Sequence, residues 1–214
     1  MTGVPLPTLN GVWAYRNDAE REAVSGLLEL VAGAGMPHCL QFAPGCPQLR
    51  ELGEARGMRR DADVPLMALA GERELRLPDE GDLVIEVLDP EQAAVHAELA
   101  AAGFDAPLDA FLRLLTPAVL RRRGVRTYVG KIEGDPVVTG VGVSLESHVG
   151  IFNVATLPAH RRRGYAAAVT ARAVRDGLGQ GARSAWLQSS PAGYSVYEKL
   201  GFKTQESWEC WIST

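Results

Sequence analysis

The feature that most constrains this chain is a change of hydrophobic period at Gly124. Beyond it, apolar residues alternate at period two through Arg126–Ile132 and Val137–Ser144, on either side of the turn-forming Glu133-Gly134-Asp135-Pro136. Gly150–Ala155 reads as a third extended segment. Three strands joined by short links are antiparallel neighbours. Just upstream, Leu83–Leu88 is β-prone, and Asp89 with Pro90 supplies a cap and a first-turn proline for a helix ending at Gly103. Thr116-Pro117 repeats that start signal, so Pro107–Arg123 divides into two short helices in series. Downstream come a helix from Gly164 to about Asp176 with a small-residue face of Ala166, Val169 and Ala173, a strand at Ala185–Gln188, a helix at Pro191–Leu200 and a β-rich end at Phe202–Ile212. This order predicts an α/β (α+β) fold with a mixed sheet.

The first eighty residues carry their own alternation. Val24, Leu27, Leu28 and Val31 mark an amphipathic helix, followed by a strand at Cys39–Phe42, a helix at Pro47–Arg56 and an extended segment at Val64–Leu69. A charged connector, Gly71–Asp82, contains Pro78 and Gly81 and is the expected boundary, dividing the chain into 1–80 and 82–214. At 214 residues, the chain is about 1.4 times the usual domain, as one full unit plus a partial one would be.

Composition bears on partners. With 46% hydrophobic residues, 22% charged residues and a net charge of −4, the chain is neither disordered nor a dedicated nucleic-acid binder. No apolar run reaches the roughly 18 residues of a membrane helix, and Met1–Pro5 lacks a basic or apolar leader. The expectation is a cytoplasmic protein with no membrane or nucleic-acid partner. Cys39, Cys46 and Cys210 have no metal-ligand spacing and read as free buried thiols; the four histidines are likewise unpaired, and no metal is expected.

The chemistry concentrates in Val154-Ala155-Thr156-Leu157-Pro158-Ala159-His160-Arg161-Arg162-Arg163-Gly164-Tyr165-Ala166. A strand ends, the chain turns at Pro158, and a helix opens on a basic, glycine-containing loop. Helix N-termini present unpaired N–H groups and partial positive charge, so the turn suits a pyrophosphate. Arg121–Arg123, by contrast, close a helix, where cations complement the C-terminal dipole.

This segment resembles the pyrophosphate loop of the GNAT superfamily of acyl-CoA-dependent N-acyltransferases, Arg/Gln-x-x-Gly-x-Gly/Ala, with Arg161, Gly164 and Ala166 in place. Ser195-Val196-Tyr197-Glu198-Lys199-Leu200-Gly201-Phe202 is similar to the same superfamily's later helix-to-strand signature. The resemblance covers Asp82–Thr214 and implies the GNAT acyl-CoA N-acyltransferase fold. By the resemblance, Val154, Ala155 and Thr156 offer backbone groups to the pantetheine arm and to the developing oxyanion, while Arg161, Arg162, Arg163, Gly164, Tyr165, Ala166 and Ala167 hold the pyrophosphate. Tyr197 matches the position of the general acid that protonates the departing thiolate. Seven residues earlier the family often has asparagine, whereas this chain has Ser190, which replaces only part of the amide's hydrogen bonding. Glu146 and His148 stand where family members place acceptor-side groups, with Glu146 the candidate base, or they are exposed hairpin residues. Trp208 and Trp211 line an acceptor groove or pack in the core.

The resemblance thus implies transfer of acetyl from acetyl-CoA to a primary amine by direct attack; the alternative is a non-catalytic acyl-CoA sensor or interaction module. A homodimer is also expected. Leu40-Gln41-Phe42-Ala43-Pro44 echoes Leu187-Gln188-Ser189-Ser190-Pro191, each followed by a helix and a Gly-hydrophobic pair. Residues 1–80 therefore resemble a degenerate half-GNAT extension without the phosphate loop or the tyrosine, and are expected to help form the acceptor cleft.

Overall fold

The computed structural model describes residues 2, 4 and 6–213; Met1, Gly3 and Pro5, on which the amino-terminal reading partly rests, lie outside the described residues, as does Thr214. In chain order the elements begin with β1 (Gly11–Ala14), α1 (Arg21–Ala32), β2 (Cys39–Phe42), α2 (Pro47–Ala55), β3 (Arg59–Arg60), β4 (Val64–Leu69) and β5 (Val84–Val87). There follow α3 (Ala93–Phe104), α4 (Leu108–Leu114), α5 (Pro117–Leu120), β6 (Val125–Ile132), β7 (Asp135–Leu145) and β8 (His148–Thr156). The chain ends with α6 (Tyr165–Gly179), β9 (Ser184–Gln188), α7 (Tyr194–Leu200) and β10 (Lys203–Ile212). No helix among the described residues is long and apolar enough to cross a membrane.

Two compact units form, Met1–Leu66 with Thr204–Thr214, and Met67–Lys203. Contacts therefore group the last strand with the first 66 residues, whereas the local pattern had grouped it with the second unit. The reason is pairing that a one-dimensional pattern does not carry: Glu209–Ile212 run antiparallel to Cys39–Phe42. In this first unit β1, which the sequence pattern did not place, lies parallel to β2. Val24, Leu28 and Val31 of α1, with Leu49 and Leu52 of α2, bury against Leu40, Phe42 and Trp211. Leu27, expected on that face, is 50% exposed. The three cysteines are free and buried.

In the second unit β5, β6, β7 and β8 form an antiparallel run, with β9 parallel to β8. A parallel partner needs a crossover, and α6 provides it. Tyr128, Val138, Val149 and Ile151 from the strands bury against Ala168, Val169 and Ala173 of α6. Each small side chain lets helix and sheet approach, while Ala166, assigned to that face in the sequence, is only half-buried in the first turn. The other face of β6–β8 carries α3, α4 and α5, where Leu115 and Leu120 meet Val141, and Leu99 meets Val129. As the sequence indicated, Asp89 accepts from Glu91 N–H and Thr116 from Val119 N–H at their helix starts.

One polar chain crosses this apolar layer. Thr139 Oγ1 donates to the Tyr128 carbonyl at 2.9 Å, so its lone pair must accept the 2.6 Å bond from His96 Nδ1–H. His96 is fully buried and leaves Nε2 without a partner, surroundings that disfavour the charged ring. Burial pushes it down to about 4. Between pH 6.5 and 4 the unfolded chain takes up a proton that the folded chain refuses, so stability falls as pH falls through that window. At about 1.4 kcal/mol per unit, His96 accounts for about 3 kcal/mol of acid destabilisation. Urea unfolding at pH 7 and pH 4 should show that His96→Gln loses that much less than wild type; equal losses would exclude His96 as the source.

Candidate active site

β8 and β9 pair in register only from His148↔Ser184 to Gly150↔Trp186, yet β8 continues to Thr156 and β9 to Gln188. The two strands form a fork. From Ile151 onward, the β9-side edge of β8 has no strand beside it among the described residues. The cause lies on the opposite edge, where Thr139 pairs with Ala155 but Val141 pairs with Phe152, so that two steps along β7 match three along β8. Asn153 takes up the extra residue at φ 50, a left-handed conformation that asparagine tolerates better than most residues. The bulge shifts the phase of the strand. Ile151 packs in the α6-side core and Val154 lies beside Gly140 on that same side, whereas Ala155 turns to meet Gly103 of α3.

The fork opens toward two helix starts. On the β8 limb, α6 begins at Gly164 (φ 84, ψ −5) with no side chain capping it, so the first-turn N–H groups of Tyr165, Ala166 and Ala167 lack a side-chain acceptor. Arg162, itself at φ 62, and Arg163 are exposed and make no ion pair among the described residues. Fifteen residues of helix stand behind these N–H groups. This is an anion cradle formed by backbone, with two free guanidinium groups beside it. It suits a pyrophosphate group. Arg161 is placed differently: its guanidinium donates to the Gly103 carbonyl at 2.8 Å and to the Thr156 carbonyl at 3.4 Å, tying the loop to the C-terminal end of α3.

On the β9 limb, Ser189 and Ser190 lead into α7. The Ser190 hydroxyl accepts from Gly193 N–H at 3.2 Å and so holds the turn that starts the helix. Tyr197 lies alongside Gly193, its ring edge-on to Phe202 with centroids 6.1 Å apart. Burial pushes its phenol up to about 12, and no hydrogen bond offsets that shift. The group is a protonated donor at any working pH. The fold thus puts Val154–Thr156 and the Arg161–Ala167 loop on one limb of the fork, and Ser190, followed by the helix that carries Tyr197, at the end of the other.

Glu146 is not among them. It sits at φ 52 in the exposed β7–β8 turn, at the paired end of the strands. Val154 lies eight positions further along the chain, roughly 25 Å when extended, and the last paired rung at Gly150 four positions, roughly 13 Å. Its neighbour His148 bonds Ser184 Oγ at 2.7 Å at that same end. Trp211 packs in the core of the first unit. Among the described residues no cluster of His, Cys, Asp or Glu could hold a metal ion.

The sequence reading missed the aromatic pair at the vertex of the fork. Phe152 and Trp186 meet edge to face with centroids 5.3 Å apart. The only sequence signal for the bulge was a spacing of three between Ile151 and Val154.

Solved structures share this architecture. A GCN5-related N-acetyltransferase from Kribbella flavida superposes with a TM-score of 0.68 at 21% identity, covering 95% of this chain and 78% of that one. A GCN5-related N-acetyltransferase from Sphaerobacter thermophilus gives 0.64 at 17% identity, over 90% of this chain and 65% of that one. An acetyltransferase from the GNAT family from Novosphingobium aromaticivorans gives 0.60 at 20%, over 89% and 80%. At these identities the likeness establishes the fold, which is the GNAT fold. No curated protein matches the chain in sequence. The model of the acetyltransferase (GNAT) family, however, matches residues 92–202, just over half of the chain, a span that runs from the start of α3 through the fork, the Arg161–Ala167 loop and Tyr197. The chain belongs to the acetyltransferase (GNAT) family and is an acyltransferase of that family.

Proposed function

We propose that this acyltransferase moves the acetyl group of acetyl-CoA onto a primary amine by direct attack, with Tyr197 as the general acid. The observation that carries this reading is the meeting of an open strand edge, Ile151–Thr156, with the uncapped N-terminus of α6. Acetyl-CoA supplies the activated acyl carbon as a thioester. The N–H groups of Tyr165–Ala167, with Arg162 and Arg163, bind its pyrophosphate, and Gly164 keeps the approach clear. Free backbone groups on Val154–Thr156 orient the pantetheine arm, and an N–H on that edge holds the negative charge that develops on the acyl oxygen. Arg161 acts through position, fixing the loop against α3. Tyr197 acts as the acid by donating its O–H to the departing sulfur as negative charge builds there. Glu146 is remote from the fork, so the role of base is not placed on it.

Calorimetry with acetyl-CoA, followed by measurement of thiol release over a panel of primary amines, tests the proposal. Saturable binding and amine-dependent release are expected. Binding without release on any amine would overturn the transferase reading in favour of a sensor, and absence of binding would overturn the donor site.

A further inference from the structure

We infer that the acceptor is a primary amine carried on a flat, aromatic skeleton, and that Phe152 and Trp186 form the shelf on which that skeleton lies. The inference rests on the acetyltransferase reading above. A donor anchored by its phosphates at the start of α6 and lying along the open edge from Thr156 back to Ile151 brings its acyl end to the vertex of the fork. One face of the sheet there is occupied by α6, which packs on Val149 and Ile151. On the other face α3 meets β8 at Ala155, through Gly103, while Phe152 and Trp186 stay exposed, so an amine reaches the vertex from there. The strand phase sets what it meets: Gly150, Phe152 and Trp186 point that way, at the last paired rung and just beyond it.

The two rings form a built surface. They stand at 90° with centroids 5.3 Å apart, inside the range in which aromatic pairs attract one another. Both fold back over Gly150, where a Cβ would come within 2.7 Å of Phe152 Cε2 and 3.0 Å of Trp186 Cζ2. Only glycine leaves that seat free. Despite this packing, Phe152 remains 39% and Trp186 37% exposed, in a part of the strands where Val149, Ile151, Ala185 and Leu187 are almost wholly buried. Exposed aromatic surface directly beside the acyl position favours a partner that removes it from water, and a flat ring does so with the least conformational cost. No ion pair involves either limb of the fork between Gly150 and Thr156 or between Ala185 and Gln188 among the described residues, so the shelf selects by shape and apolar contact.

The test uses the full chain with 2-phenylethylamine and ethanolamine, two primary amines of similar basicity that differ in the ring. Wild type should show kcat/KM at least tenfold higher for 2-phenylethylamine. Trp186→Ala should lower that value about tenfold, leave ethanolamine within twofold and leave acetyl-CoA affinity within twofold; Trp186→Phe should restore most of the loss. Gly150→Ala removes no ring but unseats both, and should reduce the same preference with an unchanged donor Kd. Melting temperatures of all three variants confirm folding. Equal turnover of the two amines by wild type, turnover of neither, or a parallel loss on both in the variants overturns the aromatic assignment. If wild type does not bind acetyl-CoA at all, the donor-site reading itself falls, and the shelf falls with it.

Discussion

Tyr197→Phe is expected to lower kcat about a hundredfold while leaving acetyl-CoA affinity within twofold. Positioned acids contribute about 10²–10⁴-fold, and the lower end applies here. Burial places the phenol near 12, whereas a free thiol titrates at about 8.5. Full proton transfer to the sulfur is thus uphill, and the advantage comes from a strong hydrogen bond that forms as charge leaves. The substitution keeps the ring and its edge-to-face contact with Phe202, so the effect belongs in kcat. An unchanged kcat would remove the acid role. The same burial gives a pH signature: the folded chain keeps a proton that the unfolded chain releases above about pH 10, so stability is lost as pH rises from 10 towards 12, and no falling limb of kcat below pH 10 arises from this phenol.

Gly164→Val should raise the Kd for acetyl-CoA at least tenfold and change kcat at saturating donor by less than threefold. Space is not the obstacle, because a Cβ at Gly164 would have its nearest neighbour, the Asp79 carbonyl, at 3.8 Å. The cost is conformational. At φ 84 a β-branched residue pays about 1–2 kcal/mol, and any relaxation turns the first N–H groups of α6 away from their common focus. A tenfold change in affinity needs only about 1.4 kcal/mol. Gly134→Val provides the control, since Gly134 has φ 92 in the β6–β7 turn with open space around it. It should carry similar strain and leave affinity unchanged. If the two variants weaken binding equally, or neither does, the loop is not the phosphate site.

Much of this was legible in the chain because the relevant signals are local. The caps at Asp89 and Thr116, the Glu133–Pro136 turn and the glycine at the start of α6 each act within a few residues, and the elements form where those signals place them. The proposed phosphate loop is local too, since Arg161, Gly164 and Ala166 match the family's motif within six residues. What failed to appear was register. Glu146 and His148 are close in sequence to β8 residues at the fork, but which end of a hairpin faces the open end depends on the direction of β9, fixed only by the crossover through α6. Phe152 and Trp186 are 34 residues apart, and only the parallel pairing His148↔Ser184 brings them together. Arg161 fitted a phosphate motif by type, yet the carbonyls of Gly103 and Thr156 claim its guanidinium, and Gly103 lies 58 residues upstream, on a helix whose contact with the loop no local spacing records. His96 likewise gave no sign of being buried, since the surface it meets belongs to β7.

The bulge at Asn153 has a cost that reaches beyond chemistry. By prising β8 from β9 it creates an edge within the interior of a sheet, along Ile151 to Thr156, where the backbone groups that face β9 find no strand among the described residues while the opposite edge stays paired with β7. Such edges invite a foreign strand. With the donor placed as proposed above, its amide-bearing arm takes the place of the missing strand, so the protein without its donor is a sheet with a gap, and the donor serves as a removable structural part. Protection against misassembly and proteolysis then rises and falls with donor concentration by simple mass action.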